Sequence, residues 1–263
     1  MALRKSRFLL FCIFFSFLIA GCGPSYPAGE ITESVKEIVK KEYDLESEAK
    51  LVGNTLYLEI KLDNLATTET KKLIEMLKHL QGAVLSIVRV SLSSDADIDF
   101  MVVSASDPAW KIGVRIIEYL QDVKDYLYMK ISRGDYEGRL IMEIDTAGEG
   151  MVVYENNTPL TMNEFLGRLI VSQFNMLSRT NPFLGIFLEK YQMKYVELTD
   201  SELILSASED FDPEMFALAE KLLIEETKKV IKKYNISNLE KITIIGQDIQ
   251  PVTVDINKPL KQN

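Results

Sequence analysis

Two short stretches of alternating apolar and polar residues constrain the fold of this chain more than any other feature. Residues 56–62 and residues 202–208 place apolar side chains at every second position. Because successive side chains of a β-strand point to opposite faces, each stretch predicts a strand with one apolar and one mixed face. The matching positions are 147 residues apart, and the helical spacings before them, at Val35 and Phe183, are 148 apart. This indicates an internal repeat, although any two units with the same order of elements would also match.

The repeat divides the chain into units with the order α-β-β-α-β. The first unit, residues 31–106, is expected to contain a helix from Ile31 to Tyr43, a hairpin turning at Val52–Thr55, a helix over 68–90 and a strand over 97–105. The second unit, residues 181–248, is expected to contain a helix beginning at Asn181–Pro182, a hairpin over 195–208, a helix after Asp212–Pro213 and a strand over 241–246. Residues 249–263 are expected to form a C-terminal tail.

The residues between the repeats, 107–180, predict an irregular α-β-β-α unit. Asp107–Pro108 is expected to begin a helix that carries Val114 and Ile117. Alternation predicts strands over 127–131 and 140–144, with residues 133–138 as the turn between them. Thr161 and Glu164 form a capping box, which predicts a helix that continues to about residue 178.

The strand patterns determine the expected fold class. Strands with one apolar and one mixed face are typical of antiparallel sheets covered by helices on one side. We therefore expect an α+β fold with helices layered on mainly antiparallel sheets, built from two or three α-β-β-α-β-like units. This order resembles that of the BON domains of bacterial envelope proteins, whose glycine-and-valine pattern is absent here.

The N-terminus has the organisation of a secretory signal. Arg4, Lys5 and Arg7 precede an apolar run over residues 8–18, which is shorter than the ~18 residues that a membrane span requires. The run leads into Ile19-Ala20-Gly21-Cys22, which resembles the lipobox of bacterial lipoproteins: an aliphatic residue, two small residues and a cysteine. The alternatives are an ordinary signal peptide and a membrane helix with a chance cysteine.

The lipoprotein resemblance implies both a modification and a location. It implies removal of residues 1–21 by cleavage between Gly21 and Cys22, and attachment of diacylglycerol to the Cys22 thiol. Each buried CH₂ of acyl chain contributes about 0.8 kcal/mol, so two or three chains hold a protein stably on a membrane. We expect an extracytoplasmic protein anchored to the cell membrane or the outer membrane, with residues 22–30 as an unstructured tether.

The net charge and the cysteine content limit the classes of partner and the disulfides that this chain can have. Removal of residues 1–21 takes away three basic and no acidic residues, which changes the formal net charge from −9 to −12. An acidic domain is repelled by phosphate backbones, so nucleic acid is not an expected partner. Cys12 leaves with the signal segment and Cys22 is lipidated, so the mature chain has no thiol pair for a disulfide.

Three short patterns have ordinary structural interpretations. His79 is the only histidine and is expected to be a partly exposed helix residue, because no second histidine or free cysteine accompanies it. Residues 95–99 resemble the opening of a calcium loop, but Phe100 takes the place of the required glycine. Residues 133–135 spell Arg-Gly-Asp, which fits a hairpin turn. We predict no metal site, no cofactor and no catalytic residue.

The remaining signal is a set of tyrosine and isoleucine residues among charges on the faces expected to lie opposite the core. This expected binding face consists of Tyr57, Glu59, Lys61, Tyr128, Lys130, Arg139 and Ile141. Such a mixture suits a protein contact, and ordinary surface apolar residues also explain it. The leading hypothesis is a lipid-anchored, non-catalytic module that binds a protein of the envelope through its sheet surface. The alternatives are a carrier of an apolar or lipid-like small molecule and an envelope hydrolase that uses carboxylates alone.

Overall fold

The computed structural model describes residues 26–62, 70–107, 112–145, 158–180, 193–207, 213–246 and 251–257. Its helices are α1 (Ile31–Tyr43), α2 (Thr70–Leu92), α3 (Leu120–Leu127), α4 (Arg133–Glu137), α5 (Met162–Thr180) and α6 (Pro213–Tyr234). Its strands are β1 (Glu46–Val52), β2 (Thr55–Lys61), β3 (Phe100–Asp107), β4 (Ile112–Tyr119), β5 (Ile141–Asp145), β6 (Met193–Leu198), β7 (Glu202–Ala207), β8 (Lys241–Ile245) and β9 (Val252–Asp255).

The described strands form two sheets with the same local topology. The five-stranded sheet has the order β1-β2-β3-β4-β5 and the four-stranded sheet the order β6-β7-β8-β9. In each, an antiparallel hairpin is followed by a parallel pair and then by an antiparallel pair, β1β2, β2β3 and β3β4 against β6β7, β7β8 and β8β9. The α+β fold class is confirmed, and antiparallel pairs outnumber parallel ones among the described strands.

The first hairpin turns where the sequence predicts. Val52 pairs with Thr55 across a two-residue loop, and Gly53 has a φ of +56°, which a residue without a Cβ adopts at little cost. The Asn54 carbonyl accepts hydrogen bonds from the N–H groups of Asp99 (2.8 Å) and Phe100 (3.1 Å). The turn therefore also fixes where β3 begins beside β2.

The interior is divided into two clusters of buried apolar side chains. The first core cluster contains residues of α1 and α2 and one face of the five-stranded sheet, including Leu58, Ile60 and Met101. The second core cluster contains residues of α5 and α6, the inner face of the four-stranded sheet, and Val102 and Ile117 from the other face of the five-stranded sheet. Each sheet thus carries a helical layer, and α5 contributes to a core that also reaches the five-stranded sheet.

This double coverage exceeds what the strand patterns indicate. Phe100, Met101, Val102 and Val103 of β3 are all buried, because the odd and even positions face different core clusters. Helices on one side only were expected from the alternation of residues 56–62, which lies in β2. Leu160, just before α5, donates its backbone N–H to the Thr55 hydroxyl (2.8 Å), which ties the start of α5 to β2.

The expected helix after Asp107–Pro108 is wrong. Residues 112–119 form β4, which pairs with both β3 and β5. Val114 and Ile117 have a spacing that suits a helix, but Ile116 and Ile117 are β-branched and favour a strand. Pairing on both edges outweighs the local spacing.

The expected strand over 127–131 is also wrong. Residues 120–127 form α3, with Leu120 and Val123 buried at helical spacing, and the chain then turns. Residues 133–137, expected within a turn, form the short helix α4, whose N-cap Ser132 accepts a hydrogen bond from the Asp135 N–H. The strand over 140–144 is confirmed as β5, and the helix from Thr161 as α5.

Both ends of the described chain are more ordered than expected. Tyr26 forms a bridge with Ser94 and Ala28–Glu30 form a 3-10 turn, so the expected tether over 22–30 is structured from Tyr26 onward. The expected tail over 249–263 contains β9, which completes the four-stranded sheet.

The helix expected over 181–191 lies outside the described residues. The position next to the second hairpin is taken by α5, which packs on β6 and α6 as α1 packs on β1 and α2.

Candidate functional site

Glu118, near the end of β4, is a buried acidic group with a strongly raised pKa. Its side chain is buried, and the Tyr136 hydroxyl donates a hydrogen bond to Oε1 (2.9 Å). The other oxygen, Oε2, is buried without a hydrogen-bond partner. Burial disfavours the charged carboxylate and raises the pKa of Glu118 to about 7, against the lowering effect of the Tyr136 hydrogen bond.

A second buried carboxylate, Asp122, lies four residues further on, in the first turn of α3. The Arg139 guanidinium donates to its Oδ1 at 2.6 Å, and the Tyr234 hydroxyl at the end of α6 donates to its Oδ2. Arg139 also lies over the Tyr234 ring, with its Cζ 5.2 Å from the centroid. Burial and the charge of Asp122 raise the pKa of Tyr234, which keeps its hydroxyl a donor. These contacts join α3, α6 and the segment before β5.

This buried acid cluster is suited to holding elements together more than to reacting with a substrate. Glu118 is only 5% exposed and Asp122 only 3% exposed, and side chains of the same chain occupy three of their four oxygens. A paired buried charge stabilises little in itself, but loss of one member leaves the other uncompensated. The cluster provides the raised pKa of an acid catalyst without an open approach to it.

The face of the five-stranded sheet that contributes to the second core cluster also carries a row of polar residues, which we call the polar row. It lies further along the strands than the core residues of that face. Glu59, Ser104, Arg115 and Glu143 are neighbours in register on β2, β3, β4 and β5. Arg115 donates to Glu143 Oε2 and Arg168 of α5 donates to Oε1, both at 3.0 Å. One carboxylate thus joins the sheet to α5.

Arg168 extends the polar row toward the four-stranded sheet. It bonds Glu164 at 2.9 Å and lies 5.7 Å from the centroid of the Tyr195 ring on β6. That ring lies against Gly167, where a Cβ would come within 2.2 Å of it. The missing side chain at Gly167 permits this close approach of β6 to α5, so the row has a structural role where α5 meets both sheets.

The residues of the expected binding face on β2 are not equivalent. Tyr57 is half-buried against the second core cluster, and its hydroxyl donates to the Thr158 carbonyl (2.9 Å). Glu59 lies in the polar row and Lys61 is exposed. Leu56, Leu58 and Ile60 are buried, as expected.

The other members of the expected binding face are dispersed. Ile141 has 0% exposure in the second core cluster, so its outward placement is wrong: it pairs with Ile117 where the sheet contributes to that core. Arg139 is held by Asp122. Tyr128 and Lys130 are exposed, but in the turn after α3 and not on a strand. The seven residues therefore do not share one surface.

An exposed apolar tip, Leu127-Tyr128-Met129, follows α3 and was not expected from the sequence. The exposed fractions of these residues are 54%, 73% and 92%. The alternation of Leu127, Met129 and Ile131 suggested a strand with those residues inward. The spacing of Leu120, Val123 and Leu127 is the helical signal that would have indicated α3 and an exposed end.

His79 and the aspartates that resemble the opening of a calcium loop have structural places in the described chain. His79 is exposed on α2, with its ring centroid 6.4 Å from that of Tyr43. Asp95 accepts from the Ala28 N–H and Asp99 from the Asn54 amide, each at 2.6 Å, so these aspartates hold turns before β3. In the part of the chain that the structure describes, no group of three histidine, cysteine or acidic residues is arranged to hold a metal ion.

Gly21 and Cys22 lie outside the described residues, so the lipobox remains a prediction. Within the described part of the chain, no helix combines the length and apolarity that a membrane crossing requires. No family model, no curated protein and no solved structure matches the chain.

Proposed function

We propose that this protein is a lipid-anchored envelope lipoprotein that acts as a non-catalytic binding module, with the sheet surface of its second unit as the binding face. The observation that carries the location is the complete Ile19-Ala20-Gly21-Cys22 motif after a short apolar run. A chain held at the membrane by lipid meets other envelope components at high local concentration, so a modest contact surface is sufficient.

The outer face of the four-stranded sheet supports the choice of surface. All strand residues of this sheet in the second core cluster lie on the inner face. The opposite side chains form what we call the outer face: Lys194, Val196, Glu197, Glu202, Ile204, Ser206, Lys241, Thr243, Ile245, Thr253 and Asp255. Val196 is 50% exposed and Ile245 37% exposed, and a β-bulge between Tyr195 and Glu197 leaves Val196 outside the regular pairing.

The outer face is organised by hydrogen bonds among its own side chains. The Thr243 hydroxyl contacts Glu202 Oε1 at 2.5 Å and Thr253 Oγ1 at 3.0 Å, and Lys241 contacts Glu202 Oε2 at 3.0 Å. Two hydrogen bonds lower the pKa of Glu202, the larger effect coming from Thr243 and the smaller from Lys241, so the Glu202 carboxylate stays ionised. Val196 lies on the edge strand β6 and Ile245 at the end of β8, so the outer face presents exposed apolar side chains around preformed polar contacts, a mixture that suits a protein interface.

The hydrolase alternative is weakened by the enclosure of the buried acid cluster. Glu118 has the raised pKa that an acid catalyst needs, but it is 5% exposed and hydrogen-bonded to Tyr136. Glu143 of the polar row is engaged with two arginines, Arg115 and Arg168. These contacts favour a binding role over carboxylate chemistry.

Site-specific photo-crosslinking in whole cells tests the binding face. A benzophenone amino acid is placed at Val196 or at Ile245, and at the exposed Leu85 of α2 as a matched control. We expect crosslinked protein species from the two outer-face positions and none from Leu85. Adding Ile204→Lys is expected to abolish the crosslinks from the two outer-face positions. Equal crosslinking from all three positions, or none from Val196 and Ile245, would contradict the proposed face.

A further inference from the structure

The helix α3 ends in a Schellman motif. The Lys130 N–H donates to the Asp125 carbonyl (2.8 Å) and the Met129 N–H to the Tyr126 carbonyl (2.9 Å). This places Met129 at the position that takes a left-handed conformation, and its φ is +58°. Glycine is the usual residue there, because a Cβ clashes with the backbone in that conformation.

The residue at this position is unusual within the chain as well. The other left-handed residues of the described structure are Gly53, Asp44 and Asn235, which are the types that tolerate positive φ. Met129 alone among them has a long apolar side chain, and that side chain is 92% exposed. It therefore neither eases the turn nor fills the core. A role outside the folded chain accounts for its presence.

Met129 is part of a continuous and well-supported apolar tip. Leu127 and Tyr128 beside it are 54% and 73% exposed. The base of the tip is fixed by stacking of the Tyr126 ring on the Tyr136 ring, with centroids 4.8 Å apart and planes 7° apart. Three exposed apolar side chains on a rigid turn are ready to enter an apolar phase without ordering cost.

The lipid anchor constrains which surface lies near the membrane. Tyr26, the first described residue, comes four residues after Cys22, so at most about 14 Å of extended chain separates them. Tyr26 is bridged to Ser94. The helix α3 begins at the same end of the five-stranded sheet, because the Leu120 N–H donates to the Asp99 carbonyl (2.7 Å). Leu120 and Tyr26 both belong to the first core cluster or pack against it.

The charge around the tip removes the main obstacle to membrane contact. The mature chain is strongly acidic, which opposes approach to anionic lipid. Residues 120–139, however, contain four acidic and four basic residues, so this segment has no net charge. Lys130 follows the tip directly and Arg133 comes three residues later, paired with Asp125 (3.0 Å) and Glu137 (2.7 Å) respectively. Lysine and arginine beside apolar residues suit the headgroup region.

We propose that the tip Leu127-Tyr128-Met129 inserts into the headgroup–acyl boundary of the same membrane that holds the Cys22 lipid. The anchor supplies most of the affinity, and the tip fixes the orientation of the domain on the bilayer. The outer face of the four-stranded sheet is then presented in a defined direction. This inference rests on the proposed lipid anchor.

Spin-label accessibility on the full lipidated protein tests the insertion. Cys22 is blocked by its lipid, so Met129→Cys provides the single free thiol of the mature chain, and Tyr128→Cys provides a second probe of the tip. Leu85→Cys and Val196→Cys are the exposed controls. Each labelled protein is reconstituted into phosphatidylethanolamine–phosphatidylglycerol vesicles, and relaxation by oxygen is compared with relaxation by a water-soluble nickel chelate.

We expect the ratio of oxygen to nickel accessibility to rise on reconstitution for both tip labels and to stay unchanged for the two controls. Tip labels as accessible to nickel as Val196→Cys, on a protein whose Cys22 lipid is verified by mass spectrometry, would overturn the inference and leave the proposed function intact. Absence of lipid on Cys22 would instead overturn the proposed function and the premise of this inference.

Discussion

At the scale of the residue, Glu118 makes the stability of the protein depend on pH. Its folded-state pKa of about 7 exceeds the ordinary value of 4.5, because burial penalises the carboxylate. Between pH 4.5 and about pH 7 the native state binds more protons than the unfolded state, so the free energy of unfolding falls as the pH rises through this range. A tenfold change in proton affinity corresponds to about 1.4 kcal/mol, so the loss reaches about 3 kcal/mol above pH 7 and is absent below pH 4.5.

The variant Glu118→Gln isolates this effect. It is neutral at every pH, keeps an oxygen for the Tyr136 hydroxyl and has nearly the same volume. We measure the free energy of unfolding in urea for both proteins. We expect the value for the wild type minus the value for the variant to fall by about 3 kcal/mol between pH 4.5 and pH 8. A constant difference over this range would show that Glu118 is not a buried, proton-binding carboxyl.

Met129→Gly is expected to preserve the fold and to raise the free energy of unfolding by up to about 1 kcal/mol. Glycine relieves the cost of a Cβ at φ +58°, and the greater freedom of glycine in the unfolded chain offsets part of that gain. Urea denaturation measures the change. A loss of more than about 1 kcal/mol, which is the range of a buried side-chain contact, would mean that Met129 supports the fold.

At the scale of the element, the two equivalent strands β2 and β7 permit a paired test. Leu58 is 2% exposed and Leu205 is 0% exposed, at positions 147 residues apart. Leu58→Ala and Leu205→Ala are each expected to cost about 2–5 kcal/mol, whereas the exposed Lys61→Ala stays near neutral. Chemical denaturation of the three variants decides the register, because a slip by one residue would exchange these outcomes.

Tyr57 shows where strand alternation ceases to predict energetics. Alternation correctly separates it from Leu56 and Leu58, and on that basis Tyr57 would be a solvent-facing residue. In the structure it packs on the second core cluster and bonds the Thr158 carbonyl. Coverage by a distant segment is invisible in a local pattern, and the same holds for the burial of both faces of β3.

Elements whose signals are local were predictable, and those decided by distant pairing were not. The hairpins at Gly53 and at Thr199 and the start of α5 are set by adjacent residues; the Thr161 hydroxyl caps α5 by accepting from the Glu164 N–H, while the Glu164 side chain bonds Arg168. β4 was expected to be a helix, and a strand was expected over 127–131 where α3 ends and the chain turns, because the short apolar spacings of residues 112–131 suit either element. Pairing of β4 with β3 and β5 determines the outcome.

At the scale of the whole molecule, the matching strand topology of the two sheets was visible in sequence, and the packing of α5 on both sheets was not. The spacing of 147 residues places β2 and β7 in equivalent positions of two sheets. That α5 contributes to a core with both sheets depends on Phe165, Leu169 and Gly167, whose pattern is that of any amphipathic helix. The expected binding face failed as a unit because Ile141 lies in this shared core.

The central claim is that this folded chain is held at a membrane by lipid on Cys22. The most direct measurement is the intact mass of the protein extracted from the membranes of cells expressing the full-length chain, beside Cys22→Ala. We predict a mature chain that begins at Cys22 and carries acyl chains, and an unprocessed chain beginning at residue 1 for the variant. A wild-type protein that retains residues 1–21, or that begins at another residue without lipid, would contradict the account.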